Sequence, residues 1–419
     1  MTTQLTSGRV VRRPLWRDRS FALFWGGQTV GELGTRMSGV AVPLLAAGPM
    51  RAGVFQVSLL TVLAWLPYLL FSLPAGLLAD RVDLRRLMIC CDLGRAALLS
   101  SLPVAALVGQ LTLAFLYAVV GLCGVLTVLF TVAYKSIVPA LVPVDRLVEA
   151  NARLTVSQDT AALVGPSVGG ALAGVVGAAR AFLGTALAFL LSAVALVAVR
   201  PPVRDRPAVA DRVPARVALT EGLRFVGRRP ILRSILACTA TSNFFAIGTS
   251  ALEVSYLVRE LRAGPATVGL VFSLGAVGGL VTGALADRLS RRIGTARVIW
   301  MSMVTPGPLY LLVPLARPGW GLALYVVGLA AFSANAVLFN VSILSYRQRI
   351  TPPELLGRVN AAFLWVCFGV VPLGALAGGV LGSQWGLRPA LVVCALGTWS
   401  AALFVVLSPL RTMRDLSPT

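Results

Sequence analysis

Glu32 and Arg36 stand four residues apart inside a stretch, 21–48, that is otherwise almost wholly apolar. On a helix this spacing puts both side chains on one face, with the acid first, the favourable order for an ion pair. A charge at the centre of an apolar helix costs about 2.5–3.5 kcal/mol on insertion scales, so such residues face a partner or a water-filled cavity. Three roles fit the pair: proton exchange by Glu32, recognition of an anionic substrate by Arg36, or a purely structural bridge. The chain has no histidine, which leaves the carboxylates as the side chains suited to proton exchange near neutral pH. Glu32 is the first candidate and Asp159, two turns before Gly165, is the second. Asp92 and Arg95 form an i,i+3 pair close to a loop, a position that suits structure or gating. Glu253 falls late in an apolar stretch and reads as an interface residue.

The elements that hold these groups are membrane helices. Apolar residues make up 57% of the 419 and charged residues 13%, about half the charged fraction of a soluble domain. Mean hydropathy is +0.84. Roughly 20 apolar residues carry a helix across the hydrocarbon, and such stretches occur near 21–48, 54–79, 87–108, 111–136, 155–177, 181–199, 232–256, 266–286, 297–316, 320–344, 358–382 and 389–409. The expected fold is all-α, with twelve transmembrane helices. Residues 1–199 form one six-helix unit, 200–230 a polar linker and 231–419 a second unit. The ten-residue alternating segments of a barrel are missing. The first apolar stretch is too long for a signal-peptide core.

Net charge is +21, and its placement gives orientation. Arg51, Arg180, Arg259, Arg262, Arg317 and Arg388 fall on one side of the expected spans, Arg36 and Arg95 lie within them, and the other 29 of the 37 basic residues fall on the side of the termini. Loops rich in Lys and Arg stay in the cytoplasm, so both termini are expected there. Basic residues spread over loops form no nucleic-acid-binding domain, and lipid is the partner they meet. The six cysteines lie in apolar spans without metal-type spacing. No metal or cofactor is expected, and no nucleophile–base pair or nucleotide loop points to an enzyme.

Two phrases occur twice. GLLADRVDLRR (76–86) is matched by GALADRLSRR (283–292), with Asp80 and Asp287 separated by 207 residues. PVDRLVEAN (143–151) is matched by PPELLGRVN (352–360), and each half contains ALAG, at 171–174 and 375–378. A proline followed by an acid before an apolar run marks a helix start. A repeat of half the chain length between apolar segments implies two pseudo-symmetric six-helix bundles.

These residues resemble the major facilitator superfamily over nearly the whole chain. FWGGQTVGELGTRMSGVAVPLL, LLADRVDLRRLMICCDLGRAAL, PALVPVDRLVEAN with LVGPSVGG, and TEGLRFVGRRPILRS are similar to its bacterial enterobactin-exporter and macrolide-efflux branch. The resemblance implies the major facilitator fold and a latch between the bundles, closed on the cytoplasmic side when the cavity faces out. Its residues would be Gly76, Asp80, Arg81, Arg85 and Arg86, and Gly283, Asp287, Arg288, Arg291 and Arg292. Asp83 stands where the wider superfamily often has glycine. GPSVGG resembles the fifth-span antiporter motif, in which Pro166 bends the helix while Gly165, Gly169 and Gly170 let neighbours approach. The arginine that drug–proton antiporters often carry early in the fourth span is absent from LAFLYAVVGLCGV, so coupling would fall to other residues.

Gln28, Trp65, Asn243, Asn335, Asn340 and Trp365 are the expected cavity residues, amides and rings suited to amphipathic molecules. Residues 216–233, with Leu219, Leu223 and Val226 at helical spacing, read as an amphipathic surface helix. The function implied is a secondary transporter, monomeric, in a bacterial cytoplasmic membrane. It exports a small amphipathic compound (antibiotic, siderophore or other secondary metabolite) by alternating access with proton antiport. Uptake or uncoupled facilitation of an organic solute is the alternative, and a non-transporting receptor or scaffold is the alternative of another class.

Overall fold

The computed structural model describes Leu15, residues 18–199 and residues 215–413. These form helices without strands: α1 Arg19–Ala47, α2 Val54–Arg81, α3 Leu84–Leu107, α4 Leu113–Leu141, α5 Leu147–Val176 and α6 Ala181–Ala198 make six crossings. After α7, Ala215–Arg228, six more follow: α8 Pro230–Arg259, α9 Pro265–Ile293, a broken crossing (α10 Thr295–Val304, α11 Gly307–Tyr310, α12 Leu312–Leu315), α13 Leu322–Ile350, α14 Pro353–Gln384, and α15 Leu387–Ser400 continued by α16 Ala402–Val406. Eleven of the twelve crossings are long and apolar enough to span a membrane on their own. The twelfth is α1, whose glycines, Gln28, Glu32 and Arg36 dilute its hydropathy.

Several helices outrun the expected spans at the end of the bundle that carries Leu15 and Met413, here the terminal end. α4 continues to Leu141, α9 to Ile293 and α13 to Ile350, while α5 begins at Leu147 and α14 at Pro353. Hydrophobic periodicity marks the part of a helix in lipid, whereas its hydrogen-bond ladder continues into the polar zone. Asp18 caps α1, its carboxylate accepting from the Ser20 and Phe21 amides at 2.9 and 3.1 Å. Asp83 caps α3 through the Arg86 amide at 2.9 Å. Each cap satisfies amides with no intrahelical partner.

Two expectations change. The amphipathic segment 216–233 is split at Arg229, which is extended (φ −109, ψ 109), because the proline after it disfavours helical backbone. α7 ends at Arg228 and packs on α8 and α14. The ninth crossing is broken between Val304 and Gly307. Pro308 has no amide to offer the Val304 carbonyl, and the Trp399 indole N–H donates to it instead at 3.2 Å.

Within the first half α1 packs on α5 and α6, α3 on α4 and α6, and α2 on α4; within the second, α9 packs on α13 and α8 on α14 and α15. The halves meet mainly at α5 against α9 and α2 against α14, with lesser contacts of α1 and α2 on α8. At the far end one apolar core draws on both halves, including Leu44, Leu102 and Phe182 with Leu252, Leu257 and Val268. At the terminal end the cores are separate: Phe24, Met88, Ile137 and Leu196 in one half, Leu232, Ile235, Ile299 and Val359 in the other. The halves are therefore sealed together at the far end and parted at the terminal end.

Candidate functional site: a central cavity open at one end

A cavity of about 820 Å³ lies between the halves. It runs from Leu99, Val120, Glu253 and Val254, next to the far seal, to Lys135 and Leu154 near the terminal end. Its walls mix aromatic and apolar side chains with a few polar ones. Trp65 and Tyr68 of α2 stack on Phe368 of α14, with ring centroids 6.0 and 5.5 Å apart, and bridge the halves. Glu32 and Arg36 form an ion pair of 2.9 Å that opens into the cavity, with 27% and 46% of the side chains exposed. Arg95 is held differently. It pairs with Asp92, at 5% and 0% exposure, and its guanidinium lies 4.4 and 4.2 Å from the Phe130 and Phe189 ring centroids. Trp25 and Thr29 of α1 donate to Ser157 of α5 at 2.8 and 2.9 Å, fixing the wall that carries Glu32.

Small residues decide where helices touch. A Cβ at Gly165 would stand 2.4 Å from the Arg36 Cβ, and one at Gly169 would stand 2.9 Å from the Met37 carbonyl oxygen. One at Gly170 would stand 2.4 Å from the Pro265 oxygen, and one at Gly269 would stand 2.2 Å from the Pro166 oxygen. The second half repeats the arrangement: Gly374 meets Phe244, Gly378 meets Gly248, and Gly379 meets Ser58 across the halves. Gly165, Gly169 and Gly170 thus correspond to Gly374, Gly378 and Gly379 at the offset of 209 that relates Pro143 to Pro352. The two ALAG segments, 204 residues apart, occupy different positions in this frame, so their match is coincidental.

A family model described as "Transmembrane secretion effector" matches residues 13–418. The chain belongs to this family of major facilitator transporters. It is 27% identical to the MFS-type transporter YfiS of Bacillus subtilis over 92% of both chains. It is 22% identical to macrolide efflux protein A of Streptococcus pyogenes over 90% of this chain and 94% of that one. Among solved structures, a bacterial homologue of the human lysosomal transporter Spinster, inward-facing and unoccupied, has a TM-score of 0.75 at 17% identity, covering 97% of this chain and 100% of that one.

The transporter's cavity takes in Gln28, Glu32, Arg36 and Trp65. Four expected cavity residues lie elsewhere. Trp365 is half-exposed on α14 and outside the lining, and Asn340 is exposed, its amide donating to the Ala336 carbonyl at 2.8 Å. Asn335 is buried within the second half and Asn243 is outside the lining. Asp159 is exposed on α5 and also outside it. On uniformly apolar helices no periodicity marks the cavity face, and the amides alone did not reveal it. Tyr134, Lys135, Gln158, Glu253 and Ser333 line the cavity unforeseen. Lys135 offered a signal, being the sole lysine among 37 basic residues.

The repeated loop motifs find partners inside their own halves. Arg85 donates to the Leu196 carbonyl at 2.7 Å and to that of Val197, covering the C-terminal carbonyls of α6. Asp287 pairs with Arg291 at 2.7 Å on the exposed end of α9. Arg81, Arg86, Arg288 and Arg292 are exposed, and the Asp80 side chain lies outside the described residues. Gly76 has open space around it, and Gly283 has only Val337 at 3.5 Å. Neither glycine serves a close helix approach while the terminal end is parted.

Proposed function

We propose that this transporter exports a small amphipathic compound from the cytoplasm by alternating access, exchanging it for protons. The observation that carries the reading is the cavity between two halves sealed at one end and parted at the other. Its volume of about 820 Å³ suits a drug-sized molecule. The basic side of the chain supports a parted end facing the cytoplasm, in a bacterial plasma membrane. Cargo enters there, between the aromatic wall of α2 and α4 and the apolar wall of α9 and α13. Macrolide efflux protein A, similar over most of the chain, supports the outward direction. One chain encloses the whole cavity, so a monomer suffices. Units 1–199 and 231–419 rock about the α5–α9 and α2–α14 contacts. When the terminal end closes, the motifs at 76–86 and 283–292 meet and latch through their arginines and acids.

Glu32 and Arg36 are the cargo-facing pair in this reading, with Lys135 as a further cation near the mouth. In the fold their bridge is worth under about 1 kcal/mol, because it is exposed. Against cargo its loss counts for more, since the polar contacts in an apolar pocket fix orientation. Vesicles carrying the protein and an imposed pH gradient are expected to accumulate a macrolide or another amphipathic antibiotic, with proton movement in the opposite direction. Glu32→Gln is expected to raise the half-saturating cargo concentration about tenfold, or about 1.4 kcal/mol, while transport remains pH-driven. Accumulation without proton movement removes antiport, and no accumulation across a panel of compounds removes export.

A further inference from the structure

Glu253 differs from Glu32, the other acid of the cavity lining. It lines the cavity, is 7% exposed, and has no hydrogen-bond or ion-pair partner among the described residues. Its neighbours along α8, Leu252, Val254, Tyr256 and Leu257, all belong to the far seal. No cation pairs with it among the described residues. Arg259 donates to the Ala52 carbonyl in the α1–α2 loop. Arg388 of α15 binds Glu260 at 2.7 Å. Arg36 of α1 is paired with Glu32, and Arg95 of α3 with Asp92. α2, α9 and α14 carry their charged residues towards the other end of the bundle. The titratable groups left beside it are two tyrosines. The Tyr256 hydroxyl donates to the Pro314 and Ala316 carbonyls at 3.1 and 3.0 Å. The hydroxyl of Tyr325, on α13, is buried without a partner.

We propose that Glu253 is a proton-binding residue built into the far seal, and that binding the proton is what allows the seal to close. The inference rests on the alternating-access reading above. An ionised carboxylate enclosed without a cation is costly, whereas the neutral acid is far less so. Closing the far end takes Glu253 out of external water, so closure selects the protonated acid. A proton from outside adds to the carboxylate while that end is open. Once the terminal end is open, the same proton leaves from the carboxyl into cavity water, and the charge left behind destabilises the seal. A ligand shifts a conformational equilibrium only through its different affinity for the two states, and here the proton has that difference. Each cycle then carries one proton inward against one cargo molecule outward, and the step uses neither Glu32 nor Asp159.

The test follows seal opening separately from transport. On a chain freed of its six cysteines, Leu44→Cys places a thiol in the seal, and a membrane-impermeant thiol reagent is applied from the far side. With Glu253 present, labelling is expected to rise as pH is raised. Glu253→Gln and Glu253→Leu are each expected to abolish that pH dependence, hold labelling at the low-pH level and eliminate pH-driven export. Both should retain thermal stability. Labelling that stays pH-dependent in both variants overturns the assignment, and if export also remains pH-driven, antiport itself stands with another residue carrying the proton. Parent protein whose export follows a sodium gradient at fixed pH, and ignores a pH gradient, removes proton coupling and this proposal together.

Discussion

Gly269→Ala is expected to abolish export, or to cut it more than tenfold, while the protein still inserts and folds. The added Cβ would stand 2.2 Å from the Pro166 carbonyl oxygen and 2.9 Å from its carbon. Both are backbone atoms of a helix, so no rotamer change relieves the overlap. α9 and α5 must move apart, and that contact is one of the two main ones between the halves. The packing inside each half is untouched, which is why folding survives. What is lost is the far seal, and the transporter must form it once in every cycle. The seal thiol at Leu44→Cys should therefore react from the far side at every pH. Gly121→Ala is the matched control, because its Cβ would meet nothing within 4 Å, and it should transport as the parent does. Normal export by Gly269→Ala would show that the α5–α9 contact can be dispensed with.

That contact was legible as a glycine pattern but not as a pairing. GPSVGG announces close approach to some neighbour, and only the packed structure identifies α1 for Gly165 and Gly169 and α9 for Gly170. The twofold plan was legible for a physical reason. Loops that insert and latch two equivalent bundles retain charged residues that stand out against apolar sequence. Side chains within the spans give no such contrast, so Asn243, Asn335 and Asn340 drew attention by polarity although none lines the cavity. Glu253 was misread in depth. With the span ending near 256 it sits at the interface, but α8 runs on to Arg259, whose guanidinium tucks under the α1–α2 loop. Glu253 is about two turns inside the helix end and faces the cavity. Hydropathy reports how far a residue lies along a span, not which side of the helix it occupies.

Arg95→Met separates the two buried roles that the cavity floor combines. The substitution keeps the bulk between Phe130 and Phe189 but leaves the Asp92 carboxylate, 0% exposed, without its cation. Breaking a buried pair in this way costs about 3–5 kcal/mol, against under about 1 kcal/mol for the exposed Glu32–Arg36 bridge. The single variant is expected to lose thermal stability in detergent by a margin that Glu32→Gln does not approach. Asp92→Asn combined with Arg95→Met removes the stranded charge and should recover most of that stability, since a buried pair contributes little net energy over neutral residues of similar size. Export should remain low in the double variant. The guanidinium between the two rings forms part of the cavity wall, and methionine restores its volume but neither its charge nor its contact with the ring faces. Recovery of export along with stability would instead assign the pair to structure alone, and would move recognition of cargo wholly to Glu32, Arg36 and the aromatic wall.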